Sequence, residues 1–369
     1  MSVVPALFVM IKPVSGSCNL RCAYCFYADE MRNREIPSYG KMDDETMEEL
    51  IRKSLARARN HMTFAFQGGE PTLAGLSFYE RFTDCVEKYR KPGQQIHYAL
   101  QTNGMCIDEK WARFLGERRF LVGLSLDGPR KLHDHYRLDP QGGGSFQRVM
   151  LAAKILREYR VDVNVLAVVT AYNAPRIGSI YSFFHENRLD YQQYIPCIDP
   201  FGGTKGEQPY SLTAEAYGQF LCDLFDLWYE DVTRGRFIYI RMFENLVGML
   251  RGYPPESCDM GGRCSVQYVV EADGGVYPCD FYALDEWRLG NIRRQSYEEL
   301  DKRREELAFI EPSALHPESC ESCRWHSLCR NGCRRDRPVL EEGMLGQNLY
   351  CKGFQRFYEY AYPRLLKLR

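Results

Sequence analysis

The sequence alternates apolar, strand-like runs with amphipathic, helix-like stretches, and this alternation limits the folds open to the chain. Six strand-like runs are present: ALFVMIKP, MTFAFQG, IHYALQT, FLVGLSL, VDVNVLAVV and YQQYIP. Stretches with helical periodicity separate them, such as 44–58 and 146–159. Near-continuous apolar strands joined by helices form parallel sheets, and right-handed crossovers curl such sheets toward a barrel. The sequence therefore predicts an α/β fold with a partial (β/α)6 TIM-like barrel.

Polar, turn-forming segments follow four of these strand-like runs. They are QGGEP at 67–71, QTNG at 101–104, SLDGP at 125–129 and PCIDP at 196–200. Taken alone, each segment is explained equally well as a simple turn, because glycine, asparagine, aspartate and proline are the usual turn residues. The carboxyl ends of parallel strands, however, meet at one rim of a barrel, and that rim carries the functional groups of such folds. We therefore expect these four segments to line one site.

The charge balance excludes partners that are recognised through a strong overall field. The chain has 48 lysine and arginine residues against 49 aspartate and glutamate residues, so as a whole it does not attract nucleic acid or an anionic membrane. The longest early apolar run, 3–11, is too short to span a bilayer and lacks the features of a secretion signal. We therefore predict a cytoplasmic protein that binds neither nucleic acid nor a membrane.

Cysteine is the residue type that says most about function. Fifteen cysteines in a reducing compartment are not expected to form disulfides, which leaves metal or cluster ligation for those that are clustered. Four cysteines stand alone in apolar or helical surroundings, and we expect these to be buried as small hydrophobic residues. They are Cys85, Cys106, Cys197 and Cys222.

Three of the clustered cysteines lie in SCNLRCAYCFY, directly after the first strand-like run. Cys18, Cys22 and Cys25 have the spacing C-x3-C-x2-C. Thiolates are soft ligands for iron–sulfur clusters, and a four-iron cluster needs four ligands, so three cysteines leave one iron open to a small molecule. Zinc is the structural alternative, but structural zinc sites are normally closed by four protein ligands, and no histidine lies nearby in the sequence.

Eight further cysteines lie in the C-terminal third, enough to close two four-thiolate sites. They are Cys258, Cys264, Cys279, Cys320, Cys323, Cys329, Cys333 and Cys351. Two zinc knuckles would use the same thiolates and remain an alternative. Basic residues in CRWHSLCRNGCRRDR would offset anionic clusters and tune their potentials, or would form a patch for RNA.

Two other features receive no catalytic role. His133 and His135 resemble a metal-binding pair only in their spacing. Ser145 ends the glycine-rich segment PQGGGS before the stretch at 146–159, and we expect it to be the N-cap of that helix.

The motif C-x3-C-x2-C with an aromatic residue before the last cysteine, followed by GGEP, resembles the radical S-adenosylmethionine superfamily. The resemblance implies that Cys18, Cys22 and Cys25 hold a 4Fe-4S cluster, whose open iron binds S-adenosylmethionine. One electron then cleaves the sulfonium to a 5'-deoxyadenosyl radical, which abstracts hydrogen from the substrate. The resemblance also implies five cofactor-binding residues: Tyr24 and Ile198 at the adenine, Gly69 at the methionine end, and Ser125 and Arg137 at the ribose and carboxylate.

The C-terminal cysteines are similar in spacing to the SPASM extension of radical enzymes that modify peptides, which carries two auxiliary 4Fe-4S clusters. Following the family, the first auxiliary cluster would be held by Cys258, Cys264, Cys279 and Cys333. The second would be held by Cys320, Cys323, Cys329 and Cys351. With the N-terminal cluster, the resemblance implies three 4Fe-4S clusters in all.

Closer likeness selects a subfamily. FAFQGGEPTLAGL, LFDLWYED, VYPCDFY and YEYAYPRL, among other runs, resemble the anaerobic sulfatase-maturating enzymes. Those enzymes oxidise a cysteine or serine in a Cys/Ser-x-Pro-x-Arg segment of a sulfatase to Cα-formylglycine. The resemblance implies Asp280, next to Cys279, as the base that deprotonates the substrate, with the auxiliary clusters as electron acceptors. Gln67 and Tyr27 are candidates for substrate contact. The implied partners are an unfolded or nascent sulfatase and a flavodoxin- or ferredoxin-type electron donor, and we expect a monomer.

These observations divide the chain into three parts. We predict a radical S-adenosylmethionine barrel at 1–200, a helical connection at 201–253 and a SPASM domain at 254–369. Three classes compete with this interpretation. One is another SPASM peptide-modifying enzyme that makes a thioether, a carbon–carbon crosslink or an epimerised residue. The others are a radical RNA methylthiotransferase, which usually carries additional nucleic-acid-binding modules, and a zinc-binding interaction module, which would have no use for CNLRCAYCFY and GGEP.

Overall fold

All six expected strands are present in the computed structural model, which describes residues 3–369. They are β1 (Val4–Ile11), β2 (Ala58–Phe66), β3 (Gln95–Thr102), β4 (Phe120–Ser125), β5 (Asp162–Val169) and β6 (Tyr191–Pro196). Four short strands follow: β7 (Tyr239–Ile240), β8 (Val269–Val270), β9 (Gly275–Tyr277) and β10 (Gly290–Asn291).

The helices alternate with the first six strands and then dominate the C-terminal part. The first seven are α1 (Phe26–Arg32), α2 (Asp44–Arg57), α3 (Leu76–Tyr89), α4 (Glu109–Glu117), α5 (Arg130–Tyr136), α6 (Phe146–Glu158) and α7 (Ile177–Glu186). The next seven are α8 (Ala214–Thr233), α9 (Arg241–Leu250), α10 (Tyr297–Glu306), α11 (Glu311–Ala314), α12 (Glu318–Glu321), α13 (His326–Cys329) and α14 (Cys351–Leu365). No helix within residues 3–369 combines the length and apolar composition needed to cross a membrane.

The chain divides into two units. The first unit comprises the described residues up to Ser125, together with Arg137–Val163 and Val266–Leu307. The second unit comprises Leu126–Tyr136, Asn164–Ser265 and Ala308–Arg369.

The first unit contains a sheet with the strand order β10-β9-β8-β1-β2-β3-β4. The pairings from β8 through β4 are parallel, and β9 and β10 are antiparallel additions at one edge. The register places Phe64 beside Val9 on one side and beside Tyr98 on the other. The rings of Tyr98 and Phe120 stack with centroids 4.8 Å apart. These side chains belong to one buried apolar core, which fixes the strand ends and hence the loops that follow them.

The second unit contains the parallel strands β5 (from Asn164 onward), β6 and β7 and the long helices α8 and α14. Aromatic rings join the two helices, because Tyr217 contacts Phe354 and Phe225 contacts Phe357. The remaining C-terminal segments are short helices and loops, and these carry most of the C-terminal cysteines.

The parallel pairing confirms the predicted α/β class, and two local expectations are met only in part. Ser145 is the N-cap residue of α6 as expected, but its hydroxyl makes no capping hydrogen bond and donates instead to the carbonyl of Arg137, 2.8 Å away. Among the four isolated cysteines, Cys197 and Cys222 are buried as expected, whereas Cys85 and Cys106 are half-buried. Cys106 Sγ lies 3.7 Å from the Asn19 side-chain amide nitrogen, so this thiol meets a polar neighbour that its apolar sequence context does not reveal.

Candidate active site

The N-terminal cysteine loop, residues 17–27, follows β1 and carries Cys18, Cys22 and Cys25, all half-buried. Two nitrogen donors approach the sulfur of Cys18: the amide of Leu20 at 3.4 Å and the side chain of Asn103 at 3.7 Å. Burial raises the pKa of the Cys18 thiol to about 11, against the opposing effect of the Leu20 amide. Soft thiols with N–H donors to sulfur are the donor set that an iron–sulfur cluster uses, so this loop fits one.

The loop after β2 packs against the N-terminal cysteine loop through a glycine. Gly69 has φ +55°, and a Cβ atom there would lie 2.2 Å from the carbonyl oxygen of Ser17. No side chain fits in that space, so the close approach of the two backbones requires glycine at this position. The amide of Glu70 donates to the same Ser17 oxygen at 2.8 Å.

The carboxylate of Glu70 joins the loops that follow β2 and β3. It is buried and accepts hydrogen bonds from the hydroxyl of Thr102 and the amide of Asn103, both at 2.7 Å, and from the amide of Thr72 at 3.1 Å. Burial raises the pKa of Glu70, and the Asn103 amide lowers it. Because Asn103 also contacts Cys18, this carboxylate fixes a donor to the first predicted cluster ligand.

The predicted cofactor-binding residues are distributed over both units. In the first unit the guanidinium of Arg137 lies 5.5 Å from the ring centroid of Tyr24, and Ser125 is buried at the end of β4. Arg137 also lowers the pKa of the Cys25 thiol, against the larger opposing effect of burial. Ile198 belongs to the second unit and follows the end of β6. The roles of these residues toward S-adenosylmethionine stay predictions.

Asp280 is a buried carboxylate with one anchored oxygen. Its Oδ2 accepts a hydrogen bond from the hydroxyl of Tyr27 at 2.7 Å and from the side-chain amide of Gln67 at 3.0 Å. Within residues 3–369, its Oδ1 has no hydrogen-bond partner. Tyr27 and Gln67 therefore contact the predicted base, and their expected contact with substrate stays a prediction.

A fully buried lysine, which the sequence analysis missed, lies beside Asp280. Lys12, directly after β1, has its Nζ 2.9 Å from a carboxylate oxygen of Glu30, 3.6 Å from Glu271 and 3.9 Å from Oδ1 of Asp280. Arg34 completes this ion-pair network, with contacts of 2.7 Å to Glu271 and 3.8 Å to Glu30. The network therefore holds three carboxylates against two cations.

The carboxylates of the ion-pair network respond to burial and charge in different ways. Burial raises the pKa of Asp280, and Lys12 opposes that shift. Burial likewise raises the pKa of Glu30 to about 7, although Lys12 acts against it. The pKa of Glu271 is lowered, because Lys12 and Arg34 together outweigh its burial. A charged residue ending an apolar strand, as in MIKP, was the only sequence signal for this network.

A pocket within the second unit, which we call the C-terminal cysteine cavity, lies between the short helices and the start of α14. Four cysteines line it: Cys320, Cys323, Cys329 and Cys351. The aromatic side chains of Trp325, Phe354 and Tyr358 form part of its wall. The four cysteines are the set that the resemblance assigns to the second auxiliary cluster. Four thiols around an apolar-walled space fit a closed four-thiolate cluster.

The other four C-terminal cysteines are divided between the units. Cys258, Cys264 and Cys333 belong to the second unit, and Cys279 belongs to the first. The amide of Cys264 donates to the hydroxyl of Ser313 at 2.8 Å, and the sulfur of Cys333 accepts the amide of Arg335 at 3.4 Å. In the described part of the chain, no three or more His, Cys, Asp or Glu side chains are arranged to hold a single metal ion.

The two histidines without an assigned role make local contacts. Within the second unit, Nδ1 of the buried His133 accepts the amide of Asp127 at 3.3 Å. The ring of His135 stacks on Tyr172 with centroids 3.7 Å apart. Both contacts serve the packing of α5.

Two family models match the chain. Residues 13–177 match the radical SAM superfamily, and residues 258–324 match SPASM, an iron–sulfur cluster-binding domain. The first match includes the N-terminal cysteine loop and the glycine loop after β2. The second includes five of the eight C-terminal cysteines: Cys258, Cys264, Cys279, Cys320 and Cys323.

Similar proteins extend the match over the whole chain. A cysteine-type anaerobic sulfatase-maturating enzyme of Clostridium perfringens (strain 13 / Type A) is 45% identical over 99% of this chain and 99% of its own length. A serine-type enzyme of Bacteroides thetaiotaomicron is 32% identical over 97% of this chain and 90% of its own. The solved structure described as native anSMEcpe with bound AdoMet and Cp18Cys peptide has a TM-score of 0.94, 44% identity and 99% coverage of both chains.

These matches confirm the predicted fold class, a partial (β/α)6 barrel with a C-terminal SPASM domain. The two family models support iron–sulfur clusters and S-adenosylmethionine as the cofactors. With a full-length relative at 45% identity and both family models matched, the chain belongs to the anaerobic sulfatase-maturating enzymes of the radical SAM superfamily.

Proposed function

We propose that the chain oxidises a cysteine in a Cys-x-Pro-x-Arg segment of an unfolded or nascent sulfatase to a thioaldehyde, which water hydrolyses to Cα-formylglycine with release of hydrogen sulfide. Serine in the corresponding segment is the alternative target. Cysteine is favoured because the cysteine-type relative is 45% identical and the serine-type relative 32% identical. The solved structure with TM-score 0.94 also holds a peptide named Cp18Cys.

The cofactors of this proposal are S-adenosylmethionine and three 4Fe-4S clusters, assigned to the cysteine sets given above. When bound, they supply a 5'-deoxyadenosyl radical that removes hydrogen from the substrate Cβ, and they accept the electron that is released afterwards. The chain's own part is to bind and orient. Tyr24, Gly69, Ser125, Arg137 and Ile198 would hold S-adenosylmethionine, and Arg137 suits a carboxylate because a guanidinium binds one bidentately.

One observation carries the assignment of Asp280 as base: its carboxylate has one anchored oxygen and one oxygen without a hydrogen-bond partner among the described residues. Tyr27 and Gln67 fix the orientation of the group through Oδ2. Oδ1 keeps its lone pairs for the proton that the substrate must lose to reach the aldehyde oxidation level. The ion-pair network supports this role, because a base must be ionised and Lys12 opposes the effect of burial on the pKa of Asp280.

The remaining partners follow from the chemistry. Reductive cleavage of S-adenosylmethionine requires an electron from outside, for which we propose a flavodoxin- or ferredoxin-type protein. We propose further that the enzyme works as a monomer in the cytoplasm, where a nascent sulfatase is accessible before it folds.

The test is oxidation of a peptide by the anaerobically reconstituted enzyme. A peptide with the Cys-x-Pro-x-Arg segment should yield an aldehyde that a hydrazine traps, and a matched peptide with alanine at the target position should yield none. A serine peptide run in parallel measures the preference. A crosslinked or epimerised product without a trappable carbonyl would overturn the proposal and assign the chain to another SPASM peptide-modifying class.

A further inference from the structure

Arg337 is a buried arginine of the second unit whose N–H groups donate to backbone carbonyls. Only 4% of its surface is exposed. Its Nε donates to the carbonyl of Asn331 at 2.9 Å, one terminal nitrogen donates to the carbonyl of Ser313 at 2.7 Å, and the other donates to the carbonyl of Gly332 at 2.6 Å. Carbonyl oxygens satisfy the N–H groups but do not cancel the positive charge.

Two of these carbonyls belong to the segment between two predicted cluster ligands. Asn331 and Gly332 lie between Cys329 and Cys333 in the sequence. Cys329 is assigned to the second auxiliary cluster and Cys333 to the first. Arg337 therefore holds the backbone that separates a ligand of one site from a ligand of the other.

The third carbonyl connects Arg337 to another predicted ligand of the first auxiliary cluster. Ser313 accepts from Arg337 through its carbonyl, and its hydroxyl accepts from the amide of Cys264 at 2.8 Å. The position of Cys264 thus depends on a residue that Arg337 anchors.

A chain of asparagines extends the connection toward the second auxiliary cluster. The amide of Asn348 donates to the side-chain oxygen of Asn331 at 2.8 Å, and the carbonyl of Asn348 accepts the amide of Cys351 at 3.0 Å. Asn331 and Asn348 are buried. Through Ser313, Asn331 and Asn348, Arg337 is therefore connected by hydrogen bonds to the backbone segments that carry predicted ligands of both sites.

The cysteine side chains near Arg337 also belong to both sites. Burial lowers the pKa of Arg337, and nearby cysteines oppose that shift. These cysteines are Cys264, Cys333, Cys320 and Cys329. The first two are assigned to the first auxiliary cluster and the last two to the second.

We propose that Arg337 is a positioning residue shared by the two auxiliary clusters, and that its charge raises the reduction potentials of both together. This inference rests on the cluster ligands of the proposed function. Reduction adds one negative charge to a cluster, and a nearby buried cation stabilises that charge more strongly than an exposed one because solvent screens it less. Fixed charge near a cluster is among the properties that set its potential.

The test measures both potentials in the full-length chain with Cys18, Cys22 and Cys25 replaced by alanine, which removes the signal of the N-terminal cluster. In Arg337→Gln, redox titration followed by electron paramagnetic resonance should show both potentials lowered. The expected shift is a roughly tenfold change in the ratio of reduced to oxidised cluster, or about 59 mV for a one-electron couple. Arg337→Lys keeps the charge and should remain near the parent values.

Arg324→Gln is the matched control. Arg324 directly follows Cys323, but its side chain is 71% exposed, so solvent should screen its charge and neither potential should move appreciably. A shift of only one potential in Arg337→Gln, or of neither, at full iron content would overturn the proposal.

Iron content decides the case in which Arg337→Gln fails to assemble its clusters. Arg337→Lys with full iron and parent-like potentials would then support the proposal, and loss of iron in that variant as well would overturn it. Zinc in place of iron in the parent would overturn both this inference and the cluster assignment. Failure of peptide oxidation alone would contradict the proposed function and leave the measured potentials untouched.

Discussion

The N-terminal cysteine loop and the C-terminal cysteine cavity gather their thiols in different ways. The loop carries its three cysteines within one short segment after β1, so their spacing alone suggests a shared ligand. The cavity takes its four cysteines from α12, the segment after it, the end of α13 and the start of α14. Three local thiols leave a position open for a cofactor, whereas four thiols from separate segments close a site. The first arrangement suits bond cleavage and the second suits electron transfer.

The buried charged groups of the two units also differ. The first unit places three carboxylates against two cations around Asp280, which suits a group that must take up a proton. The second unit places the buried guanidinium of Arg337 among neutral carbonyls, which suits a group that must stabilise an added electron. Each of the following variants tests one side of this comparison.

The largest effect is expected from the N-terminal cysteine loop. Replacing Cys18, Cys22 and Cys25 with alanine should abolish reductive cleavage of S-adenosylmethionine, because no ligands remain for the open-sited cluster. Iron should fall from about twelve to about eight atoms per chain, since the C-terminal clusters still assemble. Iron analysis and 5'-deoxyadenosine production check both statements.

Cys85→Ala is the control for that experiment, because this half-buried thiol belongs to neither cysteine region and should change neither reading. Undiminished 5'-deoxyadenosine in the triple variant would refute the assignment of the loop. Iron near four atoms in the parent chain, with stoichiometric zinc, would refute the C-terminal clusters.

A smaller but still large effect is expected from the ion-pair network. Lys12→Met removes a fully buried cation that contacts Glu30, Glu271 and Asp280. Removing one partner of a buried ion pair costs about 3–5 kcal/mol of stability, because the carboxylates stay buried without compensation. The shift of the urea unfolding midpoint measures this loss.

Two further variants test whether the loss of stability in Lys12→Met comes from the buried carboxylates that it leaves without a cation. Adding Glu30→Gln removes one of the uncompensated charges and should restore part of the stability. Lys154→Met removes a lysine that is 72% exposed and paired with Glu158, and it should leave the midpoint nearly unchanged. Equal shifts of the midpoint in Lys12→Met and Lys154→Met would show that the buried network stabilises the chain no more than an exposed ion pair does.

The smallest effect is expected from the hydrogen bonds that orient Asp280. Tyr27→Phe removes the donor 2.7 Å from Oδ2 and leaves Gln67 in place. Loss of one hydrogen bond to a charged group should slow aldehyde formation about tenfold, with cleavage of S-adenosylmethionine unchanged. Rates of both products from the same reaction mixture provide the measurement.

Tyr181→Phe is matched to Tyr27→Phe, because it removes a tyrosine–aspartate hydrogen bond of 2.8 Å to Asp231 in the second unit. It should leave both product rates unchanged. A parallel fall of aldehyde and 5'-deoxyadenosine in Tyr27→Phe would place this residue in cofactor cleavage and not in the orientation of Asp280.

Much of the fold was predictable because periodicity is a local property of the sequence. The expected runs became β1 to β6, and the helical stretches at 44–58 and 146–159 became α2 (Asp44–Arg57) and α6 (Phe146–Glu158). The spacing of Cys18, Cys22 and Cys25 was equally local. Burial of an apolar face dictates such patterns wherever the element lies in the fold.

The parts that escaped prediction depend on contacts between distant segments. Lys12 contacts Asp280 only because β8, which precedes Asp280 in the chain, pairs with β1. Ser145 lies at the start of α6 as expected, but its hydroxyl donates to the carbonyl of Arg137 and accepts no hydrogen bond from the first turn of the helix. The connection of Arg337 to Ser313 likewise joins residues whose separation in sequence gives no sign of proximity.

The central claim is that Asp280 accepts the substrate's proton in a step separate from hydrogen abstraction. Asp280→Asn keeps the size of the side chain and removes the base, and loss of a general base typically costs about a hundred- to ten-thousand-fold in rate. Asp231→Asn is the matched control, because Asp231 is also buried and also accepts a tyrosine hydroxyl.

The decisive measurement is the ratio of formylglycine to 5'-deoxyadenosine, with iron content checked to exclude damage at Cys279. In Asp280→Asn the ratio should fall by about a hundredfold or more while cleavage of S-adenosylmethionine continues, and in Asp231→Asn it should match the parent. An unchanged ratio in Asp280→Asn at full iron loading would contradict the account and place the base elsewhere.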